Sequence, residues 1–426
     1  MKLKYIAAVL VLSSVVITQK SHAQAGLALS GVGAVNRSFG GTAVAAPIDV
    51  TGALRWNPAT ISAFDRNQFA MSLELLEVDA KLSSSVDAIG VSGSTHNNDD
   101  ASPIPSAAFV YKPSKDSALT YGFGLLSVGG FRVNYPADPT NPVTAPQPPV
   151  SQGLGRIIGE AEFTNIVPTA SYQMNEEFSF GLAPVLSIAR VQVDPYVFGT
   201  PNANGSYPPG TESDYTFGGG FQLGLYYKNK DGIQLGAAYN SAQWYDDLTI
   251  DSYDQNGLPR TETYDLDFPQ IVSIGAGYSG IDKWLFASDL KYFDYSNADG
   301  FKEEGFDSTG ALKGLAWDSI WAVSAGVQYL AADWVSLRVG YFYNESPISS
   351  STAGFNLASP LITQHLLSAG TSFNLTDDLS LSFAYLHAFE NDVEGQIQSP
   401  LGPVPGTSVK STVSADAYAM GLTLRM

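Results

Sequence analysis

The residue types that most often carry chemistry are scarce in this sequence, and their spacing does not suit it. The chain has no cysteine, which excludes thiolate nucleophiles, thiolate metal ligands and disulfides. His96, His365 and His387 lie far apart without the spacing of metal ligands, and no Gly-x-Ser-x-Gly sequence marks a nucleophilic serine. We therefore predict no catalytic residue, no metal site and no cofactor, and we expect that the protein is not an enzyme.

The balance of charged residues excludes one large class of partner. Lys and Arg number 22 against 41 Asp and Glu, which gives a formal net charge of −19. A nucleic-acid-binding face needs clustered positive charge, so we expect no nucleic-acid partner. Only 15% of the residues are charged, whereas 12% are aromatic and 41 are glycine, which suits many strands joined by tight turns.

The first 23 residues have the features of an export signal. Lys2 and Lys4 precede an apolar run from Tyr5 to Ile17, and small residues around Ala23 provide a cleavage site. The run is too short for a spanning helix, and no later run approaches the ~18 apolar residues that such a helix needs. We predict a signal peptide over residues 1–23 and an exported mature chain.

The elements that hold the remaining residues are predicted from a two-residue repeat. Apolar residues alternate with small or polar ones, so each strand has one apolar face and one small or polar face. The repeat is clearest in residues 119–125, 335–343, 379–385 and 418–426. The apolar faces end in aromatic residues, which is typical of strands that face lipid.

The connections between these strands alternate in length. Six are short and polar, and seven are long and rich in Gly, Pro, Asn and Ser. We therefore predict an all-β fold, a transmembrane antiparallel β-barrel of 14 strands over residues 67–426, in which closure leaves no unpaired edge in lipid. The long connections are predicted at about Asp87 to Pro103, Gly129 to Gly159, Asp194 to Ser213, Asp247 to Arg260, Ser296 to Gly314, Asn344 to Pro360 and Asn391 to Gly406.

The segment before the first strand is a candidate plug for the barrel. Fourteen strands enclose more space than the side chains of an eight-stranded barrel fill, so the lumen would leak if it were empty. Residues 24–66 alternate poorly and contain many Gly and Ala residues. We predict that they form an N-terminal hatch inside the lumen; the alternative is a disordered periplasmic tail.

An ordered set of motifs runs through the hatch and the barrel. The hatch contains Asn57-Pro58-Ala59, and four further motifs follow, at Phe178–Leu182, Asp267–Gln270, Arg338–Gly340 and Leu367–Thr371. Over nearly the whole mature chain this set resembles the outer-membrane long-chain fatty acid and hydrocarbon transporters of the FadL/TodX type. The resemblance implies a 14-stranded barrel with an N-terminal hatch, and passive uptake of hydrophobic molecules across the outer membrane.

The resemblance also suggests a route of exit. In the family, exit is attributed to hatch movement and to a kink in the third strand that opens the wall sideways. Here the third strand carries Gly122 and Gly124, which tolerate a kink, and Pro168 in the next strand lacks a ladder donor. We predict a lateral gate at these residues; the alternative is that the glycines line a plugged lumen and the proline lies at a bulge.

An apolar groove is needed to capture such cargo. Burial in a groove of this kind stabilises a ligand by about 0.8 kcal/mol per CH₂ group. We predict that the groove is formed by a long loop that carries six prolines between Pro136 and Pro149. Its ligand-binding residues are predicted to be Phe131, Tyr135, Leu154, Ile157 and Ile158.

Arg190 is the predicted cation of the ligand site. In the fifth strand the apolar residues alternate from Phe178 to Ile188 and then shift to Val191, which predicts a bulge near Ala189 that turns Arg190 and Gln192 inward. The matching arginine in fatty acid members is assigned to the ligand carboxylate. The alternative is a structural salt bridge to a carboxylate of the hatch or the wall.

Two positions depart from the family pattern. Where a second ligand-binding lysine is expected, this chain has Trp317-Asp318, with Lys313 four residues away as a possible substitute. An indole in place of a cation favours an apolar or aromatic ligand, so fatty acid and neutral hydrocarbon both remain candidates. The chain ends in Met426 rather than in an aromatic residue, which makes its recognition by the assembly machinery less certain.

The expected partners follow from this interpretation. They are a hydrophobic small molecule, the lipids and lipopolysaccharide of a Gram-negative outer membrane, and the machinery that assembles barrels there, with the chain as a monomer. Two other functions stay open. A non-selective porin would show steady conductance of small ions, and an outer-membrane lipid hydrolase would lose lipid turnover when one Ser or His is replaced.

Overall fold

Fourteen antiparallel strands form the wall of the computed structural model, which describes residues 24–426. The predicted signal peptide lies outside the described residues. The strands are β1 (Gln68–Val86), β2 (Ser102–Tyr111), β3 (Leu119–Tyr135), β4 (Ile157–Gln173), β5 (Phe178–Asp194), β6 (Thr216–Lys228), β7 (Ile233–Asn240), β8 (Ile271–Tyr278), β9 (Trp284–Phe293), β10 (Ile320–Ala332), β11 (Val335–Asn344), β12 (His365–Asn374), β13 (Leu379–Gly395) and β14 (Thr407–Arg425).

The wall is a closed up-and-down barrel. Each strand pairs with the next, and β14 returns to β1 in continuous register, from Thr407 opposite Val86 to Arg425 opposite Gln68. Closure leaves no free edge, and short turns alternate with long loops along the chain. The predicted 14-stranded barrel is therefore confirmed. No helix within residues 24–426 is both long enough and apolar enough to cross a membrane.

The alternation seen in the sequence separates the two faces of the wall. On β3, Leu119, Tyr121, Phe123 and Leu125 are exposed on the outer face, whereas Thr120 is buried on the inner face. A row of large apolar side chains with aromatic residues among them is the surface that lipid covers in outer-membrane barrels. The rim with the long loops is called the long-loop rim below.

The strands near this rim extend further than predicted. The segment Gly129 to Gly159 was predicted as one long connection, but β3 continues to Tyr135 and β4 begins at Ile157. Phe131, Ile157 and Ile158 therefore lie on strands and not in a loop. The connection predicted at Asp247 to Arg260 likewise contains a hairpin, formed by the strands Leu248–Tyr253 and Pro259–Tyr264.

Residues 24–66, called the hatch below, fold into several short elements. Two short strands (Gln24–Ala25 and Ala28–Leu29) precede the helices α1 (Ala34–Ser38) and α2 (Val50–Trp56) and a 3-10 helix (Pro58–Ala63). The Asp49 side chain caps α2 by accepting hydrogen bonds from the backbone N–H groups of Thr51 and Gly52, at 3.1 and 3.2 Å. Helices of this length are not stable alone, so contacts with the wall must hold them in place.

The hatch is bound to the inner face of the wall on several sides. Arg37 donates to Glu74 on β1 (Nε to Oε2, 2.7 Å), and Asp289 on β9 accepts hydrogen bonds from the backbone N–H groups of Ala43 and Val44. On β11 a β-carbon at Gly340 would lie 2.0 Å from the hatch backbone, so glycine permits this close approach. The hatch therefore lies within the lumen, and the alternative of a disordered tail is wrong.

Candidate functional site

A cavity of about 380 Å³ lies at the long-loop rim, above the hatch. The inner faces of β3, β4 and β5 form one side, and the loops after β3, β5, β7, β9, β11 and β13 form most of the rest, together with Leu27 of the hatch and Val409 of β14. This volume lies within the usual range of ligand pockets. Large apolar residues dominate the lining; they include Leu27, Phe131, Leu154, Ile157, Val191, Phe198, Leu266, Phe301 and Trp317.

An aromatic cluster forms the part of the cavity nearest to β9 and β10. The rings of Phe301 and Trp317 are 4.7 Å apart between centroids, and Tyr295 packs on both, at 5.3 and 5.0 Å. The indole N–H of Trp317 donates to Oδ1 of Asn356 at 2.6 Å, which fixes the ring in the lining. Trp317, which departs from the family pattern, therefore lines the cavity.

A β-bulge in β3 directs Phe131 into the cavity. Ser127 pairs with Thr164 and Gly129 pairs with Phe163, so Val128 is an extra residue that shifts the register by one. Residues of even number, such as Leu126, face inward before the bulge, and residues of odd number face inward after it. Without the bulge, Phe131 would face outward.

Four of the predicted ligand-binding residues line the cavity, and two others do not. Phe131, Leu154, Ile157 and Trp317 belong to the lining. Ile158 and Tyr135 are buried but lie outside the lining. Ile158 follows Ile157 on β4 and therefore faces the opposite way.

The structure places Arg190 away from the cavity. β5 pairs with β4 in a single register from Leu186 to Asp194, without a bulge at Ala189. Arg190 therefore keeps the outward parity, where its guanidinium lies 3.3 Å from Glu162 and 2.6 Å from Glu212. The predicted inward turn of Arg190 and Gln192 is wrong, and these contacts match the alternative of a structural salt bridge. Lys313, the possible substitute, is exposed and outside the lining.

The cavity lining carries no formal charge. Among the described residues that line it, the polar side chains are those of Gln, Ser and Tyr only. A buried carboxylate is costly to hold without a cation or several hydrogen-bond donors. The cavity surface is therefore mostly apolar, with a few neutral polar side chains such as Gln147, Gln152 and Tyr207.

Several lining residues were missed at the sequence level. They lie mainly in the loops after β5 and β9 and in the hairpin before β8, and include Phe198, Tyr264, Leu266, Phe301, Leu312 and Leu315. The rings of Phe198 and Tyr264 are 4.3 Å apart between centroids. The signal that could have found them is the number of large apolar residues in connections that have no lipid to face.

The wall has an irregular region beside the cavity, where β3 separates from β2. The pairing of β2 with β3 runs from Tyr111 opposite Tyr121 to Ser106 opposite Leu126 and then ends, just before the β3 bulge. Beyond this point Ser127 on β3 donates a hydrogen bond from its hydroxyl to the carbonyl of Pro105 on β2, at 2.8 Å. The β3 edge is therefore free of its neighbour at the bulge.

The first residues of the hatch take up this free edge of β3. Ala28 pairs with Gly129, and the N–H of Gly130 donates to the carbonyl of Leu27 at 3.2 Å. The Gln24 side chain donates to the carbonyl of Gly130 at 2.5 Å. Because Leu27 also lines the cavity, the strand Ala28–Leu29 and the residues before it separate the cavity from the gap between β2 and β3.

The three residues predicted for the lateral gate lie further from the long-loop rim than this gap does. At Gly122 a β-carbon would come within 2.6 Å of Leu54 on α2, so the glycine lets the hatch approach β3. At Gly124 a β-carbon would lie 3.1 Å from Leu126. Pro168 faces Pro184 across β4 and β5, where the ladder is interrupted because neither proline has an N–H to donate.

The hatch motif Asn57-Pro58-Ala59 joins the hatch to the middle of the wall. Asn57 caps the 3-10 helix by accepting from the N–H of Ala59 at 3.0 Å, and its amide donates to the carbonyl of Leu225 on β6 at 2.9 Å. The Ser171 hydroxyl on β4 donates to the carbonyl of Ala59 at 3.0 Å. The motif thus holds the 3-10 helix behind the interrupted ladder of β4 and β5.

Other chemistry is sparse in the described part of the chain. Within residues 24–426 no group of three or more His, Asp or Glu side chains is arranged to hold a metal ion. His365 lies beside Tyr341, and His387 lies beside Asp416 on β14.

A model of the family "Outer membrane protein transport protein (OMPP1/FadL/TodX)" matches residues 14–426 of the chain. The long-chain fatty acid transport protein of Escherichia coli (strain CFT073) is 21% identical over an alignment of 405 positions, which covers 84% of each chain. These relatives are named as transport proteins and not as enzymes.

Solved structures share the architecture. A FadL homologue of Pseudomonas aeruginosa superposes with a TM-score of 0.73 at 15% identity, over 94% of this chain and 99% of that one. The toluene transporter TodX of Pseudomonas putida superposes with a TM-score of 0.68 at 17% identity, over 93% and 99%. With the match along the barrel and the hatch, these findings establish that the chain belongs to the FadL/TodX family of outer-membrane transport proteins.

Proposed function

We propose that this outer-membrane protein takes up hydrophobic molecules passively and captures them in the cavity at the long-loop rim by apolar contact alone. The observation that carries this proposal is the absence of formal charge from the lining, beside its many aromatic and aliphatic side chains. Apolar surface that leaves water for such a cavity is stabilised by about 25 cal/mol per Å². No coupling to an energy source is needed for capture.

The class of cargo follows from the same lining. A neutral hydrocarbon matches the apolar side chains of the cavity lining, and the apolar part of an amphiphile does the same. The relatives are named for both kinds of molecule, since one is a long-chain fatty acid transport protein and another a toluene transporter. In this chain the cavity itself selects cargo by apolar size and shape, because neither Arg190 nor Lys313 reaches it.

Exit is proposed to occur sideways, through the gap between β2 and β3. The hatch occupies the lumen, so a straight aqueous path through the barrel is closed, which argues against a non-selective porin. The strand Ala28–Leu29 lies between the cavity and the gap and is held by few hydrogen bonds to the β3 bulge. Its release from Gly129 and Gly130 would connect the cavity with the lipid outside.

Capture is tested by binding of a neutral hydrocarbon. Purified protein in nonionic detergent should bind radiolabelled toluene saturably, and the double variant Phe301→Ala/Trp317→Ala should lose most of this binding. Phe383→Ala, which removes an aromatic ring from the lipid-facing side of β13, is the matched control and should bind as the unmodified chain does. Equal binding by all three proteins would contradict the proposal.

The lateral exit is tested with paired cysteines, which the chain allows because it has none of its own. A disulfide between Pro105→Cys and Ser127→Cys should close the gap, stop toluene uptake by cells and leave binding to the purified protein intact; reduction should restore uptake. The control pair Ser372→Cys/Ser382→Cys joins β12 to β13, where the two hydroxyl oxygens are 2.7 Å apart. Uptake that is unaffected by the first disulfide would exclude this exit.

A further inference from the structure

We propose that Arg55, on the hatch below the cavity, binds the carboxylate of an amphiphilic acid while its apolar part is held by the protein. The inference rests on the proposed function and adds to it, because the cavity lining offers no charged partner to an ionised acid. Arg55 would supply that partner below the cavity.

The guanidinium of Arg55 is buried without a hydrogen-bond partner. The residue is 1% exposed, and Nε and both terminal nitrogens have no acceptor among the described residues. Its contacts are instead with aromatic faces, since the guanidinium carbon lies 4.5 Å from the centre of the Trp56 ring and 5.8 Å from that of Phe268. A buried cation with all of its donors unpaired is costly, and a carboxylate ligand would remove that cost.

The other buried cations of the lumen differ from Arg55 in this respect. Arg37 pairs with Glu74, and Lys291 donates to Asp289 at 3.1 Å. Arg338 donates to Gln328 and Ser372 at 2.7 Å each. Among the described residues that are cationic and buried in the lumen, Arg55 is the one with neither a carboxylate nor a hydrogen-bond acceptor.

Arg55 is also close to both the cavity and the proposed exit. Tyr295 lies beside Arg55 and packs on Trp317 in the cavity lining, at 5.0 Å between ring centroids. Phe268 lies over Arg55 and is also close to the β3 bulge, because a β-carbon at Gly129 would fall 2.8 Å from its ring. One layer of aromatic side chains therefore separates the guanidinium from the cavity on one side and from the β3 bulge on the other.

The charge of Arg55 persists under physiological conditions. Burial lowers the pKa of the guanidinium to about 10, which still leaves it protonated at neutral pH. Lys291 contacts the ring of Trp56 from 4.3 Å, so two cations share this indole, and Asp289 pairs with Lys291 and not with Arg55. The local excess of positive charge selects an anion, and the fork of donors fits a carboxylate.

A carboxylate reaches Arg55 only when the aromatic layer or the hatch moves, because the three nitrogens are sealed from solvent in this conformation. Arrival of an acid would then neutralise a cation that the closed hatch leaves without a counter-ion. Binding of the acid and loosening of the hatch are coupled by this charge.

The test compares octanoate with octan-1-ol, which differ in the head group and share the alkyl chain. Arg55→Gln should weaken octanoate binding to the purified mature protein by about tenfold or more and octanol binding by less than about twofold. Arg66→Gln is the matched control, because it also removes one hatch arginine, which is exposed and pairs with Asp378 at 3.2 Å at the other rim. It should change neither affinity. An equal loss for both ligands, or no loss for octanoate, would overturn the role of Arg55.

A second measurement separates failure of this inference from failure of the proposed function. If the unmodified protein binds neither ligand, the proposed capture function fails. The role of Arg55 is then tested with the simple anion bromide, which should give an anomalous scattering peak at the guanidinium in crystals of the unmodified protein that was folded and crystallised in bromide, and none in Arg55→Gln. Absence of the peak from the unmodified protein would overturn the anion site.

Discussion

The cavity and the contact between hatch and wall lie in one barrel and use opposite chemistry. The cavity is built from aromatic and aliphatic side chains and has no formal charge in its lining. The hatch is held by a buried ion pair at Arg37, by hydrogen bonds to Asp289 and by close approach of backbones at Gly340. Apolar contacts are non-directional and tolerate exchange of one molecule for another, whereas ion pairs and close-packed backbones fix a single arrangement.

Under the proposed function, this difference would let one chain exchange cargo while its lumen stays closed. The cavity lining carries few hydrogen bonds and no charge, whereas the contact between hatch and wall carries a buried ion pair and several hydrogen bonds. The start of the hatch is intermediate, since Leu27 lines the cavity while Ala28 pairs only briefly with β3.

Removal of the hatch should have the largest effect. A mature chain without residues 24–66 should form a barrel whose single-channel conductance is higher than that of the full mature chain by about tenfold or more, because a barrel of this size without a plug approaches an open aqueous channel. Planar bilayer recordings measure this. Unchanged conductance would show that the hatch does not close the lumen.

Breaking the buried ion pair at Arg37 should come next. Glu74→Gln leaves a buried guanidinium without its carboxylate, which should destabilise the hatch by about 3–5 kcal/mol. Hydrogen exchange of residues 24–66 should become faster, while that of the strands stays slow. The double variant Arg37→Met/Glu74→Leu should recover most of the protection; failure to recover would assign the loss to something other than the unpaired charge.

In the cavity, loss of a single aromatic side chain should weaken the binding of all ligands equally. Trp317→Ala should weaken toluene and octanoate binding by similar factors, about tenfold to a hundredfold, because the lost contact is apolar. Asn356→Ala removes the acceptor at 2.6 Å that holds the indole and should cost less, about fivefold. A loss of affinity confined to octanoate would show that the cavity recognises the charge of its ligand.

The smallest predicted effect concerns a loop carboxyl close to both regions. Burial raises the pKa of Asp267 from 3.8 to about 6, so the folded protein favours the neutral acid. Ionisation of Asp267 therefore destabilises the folded protein. This destabilisation is nearly absent at pH 4, grows as the pH rises to about 6 and is constant above it. Asp267→Asn should stabilise the protein by about 1 kcal/mol or less at pH 8, after a discount for solvent screening, and not at pH 4. Urea unfolding at the two pH values measures the difference, and an effect that is larger at pH 4 would contradict this assignment.

Much of the wall could be predicted from the sequence, because lipid outside and a hatch inside impose alternation on every strand. The residues of β3 from Leu119 to Leu125 show this clearly. The bulge at Val128 was not predicted, since Gly129 and Gly130 have no side chains that would reveal a change of parity. Because the bulge was not predicted, the gate was assigned to Gly122 and Gly124, which lie further from the long-loop rim than the irregular part of β3.

Arg190 shows why a change of parity can be misread. The apolar residues of β5 lie at even positions up to Ile188 and at odd positions from Val191, because the environments on the two faces of the wall change at this height. The pairing register of the strand itself does not change. Inside the wall the polar contact with the hatch gives way to the apolar cavity, which Val191 lines. On the outer face, charged residues such as Arg190 and Glu162 take the place of the apolar ones lower on the strands. A single sequence carries the change of pattern but not its cause.

The uncharged cavity is proposed to hold a hydrophobic molecule, and mass spectrometry of the molecules that co-purify with the mature protein in detergent can detect it. We expect enrichment of one class of apolar or amphiphilic molecules at close to one per chain, and its loss from Phe301→Ala/Trp317→Ala. No apolar molecule enriched above the detergent background, or equal amounts in both proteins, would contradict it.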